Sequence, residues 1–307
     1  MTGGSGFVGS HVARALLAKQ VAVRVLVRSP VSPGSLLNRL DVELVAGDLN
    51  EPGPWMDTLA GCDTLFHLAA YYSSDPADAH SLYQVNLDGT QALLTAAAEA
   101  GIARVVHTST IGTIGRPDNG SLPYETTPFN LWRTGSHYVR SKWLGEAAAL
   151  LWNRRGLPVV VVHPTAPVGA GDWRPTATGG RFIDFLEGRR PDYPAGGMNL
   201  CPVTDIAAGH LAAAIRGTPG SRYILGHADG NLDEEAFISL LSEVSGLPAP
   251  PAVTRKAGRR PAGLTADPAR AITELGMPQG CLREAIADAV AYYEGTRKRE
   301  ISRQGNK

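Results

Sequence analysis

Cysteine is scarce: Cys62, Cys201 and Cys281 are the only three in 307 residues, and they stand far apart. No two have the spacing of a disulfide framework or a zinc site, which excludes both as the means of holding the fold. That usage fits a reducing cytoplasm. Charge of one sign is lacking as well. Lys plus Arg and Asp plus Glu each total 29, so bulk electrostatics gives no pull toward nucleic acid or an anionic membrane. No apolar run approaches the ~20 residues of a membrane helix, and the first residues carry no signal-peptide pattern. Repeats and low-complexity tracts are missing too. These absences leave a soluble, intracellular, globular chain with material for one large domain or two smaller ones.

What is present starts at the first residues. Thr2-Gly3-Gly4-Ser5-Gly6-Phe7-Val8-Gly9 leads into a helical pattern with Val8, Val12, Ala15 and Leu16 on one side. Glycines let backbone N–H groups come close to a pyrophosphate, and a helix N-terminus favours its charge. Short glycine-rich turns are often only turns; here the setting decides. Val21–Val27 reads as a buried strand, and strands and helices alternate for about 140 residues more. That is the order of a dinucleotide-binding sheet. A phosphate-binding turn follows a strand, yet only Met1 precedes Thr2. The central first strand is therefore expected to want about six more residues, and its neighbours to be left with unpaired edges.

Further strands are expected at Val42–Ala46, Thr64–Leu68, Arg104–Thr108 and Pro158–His163, with a long helix from Ala79 to Ala100. Asn86 inside that helix either faces solvent or is tied to the neighbouring strand. Open α/β sheets bind ligands at the carboxyl ends of their strands. Arg28 stands where an NAD site places a carboxylate, and an arginine there accommodates the 2′-phosphate of NADP. Gly47-Asp48-Leu49 is placed to touch an adenine edge, and the small Ala69 and Ala70 let a cofactor lie across a strand end. The hydroxyls of Ser109 and Thr110 can bond a substrate carbonyl or merely cap a turn.

The run Ser136 to Arg154 reads as a helix, with Val139, Leu144, Ala147, Leu150 and Leu151 on one flank. Tyr138 and Lys142 lie four apart and share a face. A phenol with a pKa near ~10 is a poor base at neutrality. A nearby ammonium lowers that pKa, and bringing it to about 7 requires about 4 kcal/mol. The pair would then exchange protons with a carbonyl or alcohol.

These stretches, with Thr108-Ser109-Thr110, Val85 to Thr90, and Pro164 to Gly169, appear in the order of the extended short-chain dehydrogenases/reductases. The chain resembles that family over nearly its whole length. Within it the chain is similar to the dihydroflavonol-reductase-like branch, and most to the hopanoid-associated sugar epimerases, on His137–Lys142, Pro175–Gly179 and Arg222–Gly226. The resemblance implies an α/β fold: a Rossmann-type doubly wound parallel sheet, residues 1–168 and 198–226, with a smaller C-terminal substrate lobe, residues 169–197 and 227–307. It implies that Tyr138 is the acid/base, that Lys142 lowers its pKa and holds the nicotinamide ribose, and that Thr110 is the catalytic hydroxyl. Gly3, Gly6, Phe7, Val8 and Gly9 would line the pyrophosphate, Asp48 and Leu49 the adenine, and Thr108, Pro164 and Val168 the nicotinamide side. The family's sugar-nucleotide dehydratases carry an Asp-Glu pair directly after the catalytic Thr. Ile111 and Gly112 stand there instead, and neither transfers a proton. His107 reads as a strand residue.

Beyond Gly169 the composition turns to Gly, Pro, Trp and Arg, the mark of a loop. Trp173 can stack on a ring, and Arg174 or Arg181 can pair with a phosphate or carboxylate; packing of the loop on its own tryptophan is the alternative. Phe182–Glu187 reads as a short helix, Asn199–Val203 as a strand, and Ile206–Ile215 as a helix capped by Asp205. Arg222–Leu225 is a return strand, Glu234–Val244 and Leu282–Tyr293 are helices, Leu247 to Pro261 is a Pro/Arg-rich join, and the basic tail from Arg297 frays. The expected activity is hydride transfer between NADP (or NAD) and a carbinol or carbonyl carbon of a small molecule, either a sugar epimerisation or a net carbonyl reduction. A non-catalytic dinucleotide sensor is a third reading. Many relatives pair the helices at 79–100 and 136–154, which implies a homodimer.

Overall fold

The computed structural model describes residues 1–28, 31, 34–51, 53–252 and 263–305. Residues 253–261 of the expected Pro/Arg-rich join lie outside the described residues. In chain order the elements are α1 (Phe7–Leu17), β1 (Arg24–Val27), β2 (Glu43–Ala46), β3 (Thr64–His67), α2 (Ala79–Tyr83), α3 (Thr90–Glu99) and β4 (Arg104–Thr108). There follow α4 (His137–Arg154), β5 (Val159–Pro164), β6 (Ala166–Val168), α5 (Ala177–Leu186), β7 (Met198–Pro202) and α6 (Val203–Arg216). The last are β8 (Arg222–Leu225), β9 (Asn231–Leu232), α7 (Glu234–Ser245), α8 (Ala269–Leu275) and α9 (Leu282–Gly305).

β3, β4, β5 and β8 form a parallel sheet in that order, and β1 pairs with β2, also in parallel. Strand alternation sorts the side chains onto two faces. Phe66, Val106, Val160 and Val162 pack with α1 and α6, whereas Leu65, Val105, Val159 and Val161 pack with α3 and α4. This is the doubly wound arrangement. All four valines of β5 are wholly buried. Their burial contributes roughly 6–12 kcal/mol gross, which is why this β-branched run lies inside the sheet.

The join between the halves is narrow. Thr2 is the one bridge between β1 and β3 among the described residues, pairing in parallel with Leu26 and His67. Leu26 N donates to the Met1 carbonyl at 2.9 Å, and Thr2 N to the Phe66 carbonyl at 3.0 Å. Met1 and Thr2 thus stand between β1 and β3.

Several elements differ from expectation. The strand at 21–27 starts only at Arg24, because Gln20 turns through φ 59 and Val21 is exposed. The helix expected at 79–100 is interrupted by a π-helical stretch, Gln84–Gly89. Asn86 lies in this stretch, and its side chain accepts from Tyr71 N (2.8 Å) and donates to Tyr71 O and Ser141 Oγ (2.9 Å each). Of the two readings of Asn86, the tie to the strand exit holds, and wide turns of this kind often mark functional sites. α6 begins at Val203, so Asp205 lies in its first turn and accepts from Gly280 N at 2.6 Å rather than capping. α5 is longer than expected because Thr176 caps it through Gly179 N. α9 runs to Gly305, past its expected end at Tyr293 and into the tail expected to fray from Arg297.

A second core joins β6 and β7 to α5, α7 and α9, with Phe182, Phe185, Tyr193 and Phe237 at its centre. β6, β7 and β9 form a separate small sheet.

α4 approaches the π-helical turn so closely that a Cβ on Gly145 would collide with the Asn86 carbonyl. Helix propensity alone favours alanine there by ~1 kcal/mol, but overpacking against backbone costs about 1–3 kcal/mol. Gly145→Ala is therefore expected to lower the urea midpoint. A raised midpoint would mean that α4 stands farther from residue 86.

Candidate active site

The glycine turn sits at the carboxyl edge of β1 and β3. Gly3 has φ 72, a region that favours glycine, and a Cβ there would meet Ala69 N at 2.6 Å. A Cβ on Gly9 would collide with the Gly3 carbonyl. No side chain caps the start of α1 at Gly6, and no acidic residue occupies its first turn. Uncapped N–H groups at a helix start, in a cradle that any Cβ would fill, fit a dinucleotide pyrophosphate. Phe7, Val8 and Gly9 carry those groups.

A bonded chain fastens this turn to the sheet. Thr90 Oγ1 donates to the Asn86 carbonyl (2.9 Å), so it accepts from His67 Nε2 (2.9 Å). His67 Nδ1 then accepts from Thr2 Oγ1 (2.8 Å), which accepts in turn from Ala69 N (3.1 Å). Burial, with Lys142 and the N-terminus adding to it, pulls His67 down to about 3, so the ring is neutral as this pattern requires.

Trp173 is placed against this turn, not free in the loop. Its Nε1 and Ser35 Oγ each donate to the Ser5 carbonyl at 3.0 Å, and the indole lies against Gly34. Nearby, His11 Nε2 bonds the Ala170 carbonyl at 3.0 Å. These contacts make Trp173 a strap across the glycine turn.

α4 starts where Ser136 Oγ accepts from Val139 N, and its inner face carries Tyr138, Ser141, Lys142, Gly145 and Glu146. Lys142 is 3 % exposed and its Nζ donates to the Thr108 carbonyl at 2.7 Å. Burial pulls its pKa down to about 8, against an upward push from Glu146. Tyr138 is half-buried, with the exposed Tyr72 ring edge-on to it at 4.8 Å and the Thr110 side chain within bonding reach. Here the expectation of a lowered phenol fails. Burial raises the Tyr138 pKa, the Tyr72 phenol adds to it, and the Thr110 bond opposes them only in part. The ammonium does not reverse this because it is turned to the Thr108 carbonyl.

Thr110 Oγ1 also accepts from Gly112 N at 3.3 Å, so its hydroxyl both caps a turn and faces Tyr138. Ser109 is buried and donates to Glu146 Oε2 at 2.6 Å, so its hydroxyl is spent inside the protein. His107 is a strand residue with both ring nitrogens buried and unpartnered among the described residues. Ile111 and Gly112 are buried beside Thr110.

The remaining expected residues spread along the carboxyl edge. Arg28 is exposed just after β1 and makes no bond among the described residues. Asp48 Oδ1 accepts from Asn50 N at 2.9 Å, and Leu49 packs in the core with Trp55. Ala69 and Ala70 follow β3; Pro164 and Val168 are buried in β5 and β6. Arg174 is exposed, 6.0 Å over the Trp173 ring. Arg181 donates to the carbonyls of Asp192 (2.6 Å) and Ala177 (2.8 Å) and pairs with no carboxylate at ion-pair distance among the described residues. Burial lowers its pKa, with Tyr193, Asp192 and Tyr72 pushing the other way. Sequence reasoning missed Tyr72 and Glu146. Glu146 had a signal, four residues beyond Lys142 on the same helix face; Tyr72 had none.

A parallel doubly wound sheet with a glycine turn at its carboxyl edge, and Thr110, Tyr138 and Lys142 along it, defines a Rossmann-fold extended short-chain dehydrogenase/reductase. Residues 1–226 match the NAD-dependent epimerase/dehydratase family, and the chain belongs to it. It is 37 % identical to a putative dihydroflavonol 4-reductase of Synechocystis sp., covering 96 % of this chain and 94 % of that one. It is 33 % identical to sterol demethylase protein B of Methylococcus capsulatus, over 95 % and 97 % of the two chains. A dTDP-glucose 4,6-dehydratase of Streptomyces venezuelae, solved with NAD bound, superposes with a TM-score of 0.83 at 27 % identity over 97 % of each chain. The resemblance to the dihydroflavonol-reductase-like branch is borne out.

If Trp173 serves the dinucleotide turn, Trp173→Phe removes one of two bonds to the Ser5 carbonyl, a cost of ~1 kcal/mol. NADPH or NADH binding, followed by fluorescence titration, is expected to weaken about fivefold. Unchanged affinity would return Trp173 to the substrate side.

Proposed function

We propose that this chain transfers hydride between a nicotinamide dinucleotide and a carbinol or carbonyl carbon, and that it works chiefly as a carbonyl reductase. The observation that carries it is the placement of Tyr138 on α4, with the Thr110 side chain within bonding reach and Lys142 four residues on; burial, which holds the phenol protonated, agrees with proton donation. The names of two relatives, dihydroflavonol 4-reductase and sterol demethylase protein B, agree with an oxygenated ring substrate.

In this reading a bound nicotinamide supplies the hydride. Gly3, Gly6, Phe7, Val8 and Gly9 hold the pyrophosphate, while Asp48, Leu49, Ala69, Ala70, Thr108, Pro164 and Val168 line the remainder of the cofactor path. Arg28, exposed and without a bonded partner among the described residues, meets a 2′-phosphate, which favours NADP over NAD. Thr110 orients the carbonyl oxygen. Tyr138 gives its proton to that oxygen as negative charge develops there, and the Lys142 ammonium stabilises the phenolate left behind. Arg181 and Arg174 are candidates for an anionic group on the substrate.

The second reading, a sugar epimerase, has support in the family and in the NAD-bound sugar-nucleotide neighbour. It needs the same residues but keeps the cofactor bound through turnover. Elimination of water is disfavoured in either reading, since Ile111 and Gly112 offer no proton-transferring side chain.

Tyr138→Phe is expected to lower any hydride-transfer rate at least 100-fold while leaving dinucleotide binding within about twofold. A variant as active as the native chain would end the assignment. With Lys142 near 8, the ammonium is charged below that pH and is lost above it. The reduction rate should therefore fall as pH rises through about 8, and a flat profile to pH ~10 would count against Lys142's role. Arg28→Glu is expected to weaken NADPH binding about tenfold or more and spare NADH; equal loss of both would remove Arg28 from the site.

A further inference from the structure

Beneath the reacting residues lies a buried polar cluster that the proposed chemistry leaves unused. Glu146, on α4 one turn beyond Lys142, is 3 % exposed. Its Oε2 accepts from Ser109 Oγ at 2.6 Å, Thr113 Oγ1 at 2.8 Å and His163 Nε2 at 3.0 Å. A carboxylate here only accepts, so the His163 ring carries its hydrogen on Nε2. Arg222 Nε lies 2.8 Å from Oε1, yet its N–H is not aimed along the contact, which makes this an ion pair and not a hydrogen bond. Thr113 Oγ1 also stands 2.8 Å from the Thr110 carbonyl, and its single proton can serve that carbonyl or the carboxylate but not both.

Burial would push the Glu146 carboxyl up, but His163, Arg222 and Ser109 outweigh it and hold the group down at about 2. A full negative charge thus persists inside the protein. Such a charge is a poor stabiliser, because packed apolar residues commonly do as well or better. What it faces suggests another use. The groups around Lys142 are Tyr138 and Glu146 on its own helix, the Thr108 carbonyl and His107 on β4, and His67 on β3. Burial, with Lys142 close by, keeps both histidines neutral. Glu146 is the one anion among them.

We propose that Glu146 is a positioning residue that keeps the Lys142 ammonium charged beside Tyr138, with Arg222 on its far side tempering its field. This rests on the reading of Tyr138 and Lys142 as the reacting pair. Geometry supplies both halves: the carboxylate follows Lys142 by one helical turn, and its second oxygen lies 2.8 Å from the Arg222 Nε on β8. Two substitutions should therefore move Lys142 in opposite senses. Glu146→Gln removes the anion and disfavours the ammonium; Arg222→Gln removes the competing cation and favours it.

The chain has five lysines, Lys19, Lys142, Lys256, Lys298 and Lys307, few enough to follow singly. Lysine labelled with 13C at Cε gives one NMR signal for each, and Lys142→Met identifies that of Lys142. In the full chain, Glu146→Gln is expected to lower the Lys142 titration midpoint by about 1 pH unit or more, and Arg222→Gln to raise it. An unmoved midpoint in Glu146→Gln, or displacement of both variants in the same direction, overturns the proposal. Should Glu146→Gln fail to fold, absence of an upward displacement in Arg222→Gln overturns it alone. The titration needs no substrate, so its failure is distinct from failure to find a carbonyl reduction. Where such a reduction is found, the alkaline limb of its pH profile should follow the NMR midpoint from variant to variant.

Discussion

A lysine ammonium held inside the protein is the constraint to which the surrounding structure answers. Desolvating it costs several kcal/mol, and the chain offsets that with a carbonyl at the end of β4 and a carboxylate one turn along α4. The carbonyl demands that α4 lie close against the sheet, as do the bonds that Glu146 accepts from Ser109 and His163. Small residues on its inner face, Ser141 and Gly145, permit the approach. The π-helical turn at Asn86 follows from the same closeness, since its backbone carbonyl occupies the space a side chain at position 145 would take. Asn86 then bonds Tyr71 and Ser141 together, so the exit of β3 and the face of α4 are set by one side chain.

One loop of the second lobe reaches this centre by polar contacts. Asp172 Oδ2 accepts from Thr176 N, Thr176 Oγ1 and Tyr293 OH at 2.9, 2.8 and 2.7 Å, which joins the loop to α5 and α9. The next residue, Trp173, reaches the Ser5 carbonyl in the glycine turn. A shift of α5 or α9 is therefore felt at the turn through two consecutive residues. Tyr72 makes a comparable link on the reaction side, edge-on to Tyr138 while 60 % exposed. That ring forms an exposed wall beside Tyr138.

Local pattern carried most of the architecture, because the sheet is parallel and buried. Runs such as Val159–Val162 are apolar on both faces, and glycine at positions 3 and 9 is required because a Cβ at either would collide with backbone atoms. Thr110, Tyr138 and Lys142 were legible for a related reason: a strand end and a helical spacing of four suffice to bring them together. What could not be read were contacts between segments distant in sequence. Trp173 and Ser5 are 168 positions apart, and Glu146 and Arg222 are paired only after β8 has joined the sheet. The π-helical turn was hidden too, since a helix pattern records apolar spacing and says nothing of a widened ring of backbone bonds. The misjudged phenol is the instructive case. Spacing predicted that Lys142 and Tyr138 share a face, but the sign of the shift depended on what else each side chain touched.

That sign bears on the direction of the proposed chemistry. A buried phenol beside a second phenol holds its proton, and an ammonium at about 8 is near the point of surrendering its own. The first condition suits donation to a carbonyl oxygen, and below about pH 8 the ammonium is still present to balance the phenolate left behind. Oxidation of an alcohol asks the reverse, a phenolate present before the substrate reacts. By the same electrostatics that state requires more positive charge near Tyr138 than the chain supplies through Lys142 alone. An oxidised nicotinamide carries such a charge and a reduced one does not. An epimerase cycle on these residues would therefore depend on the cofactor's own charge to begin, whereas a reduction would draw on the chain's residues as they already stand.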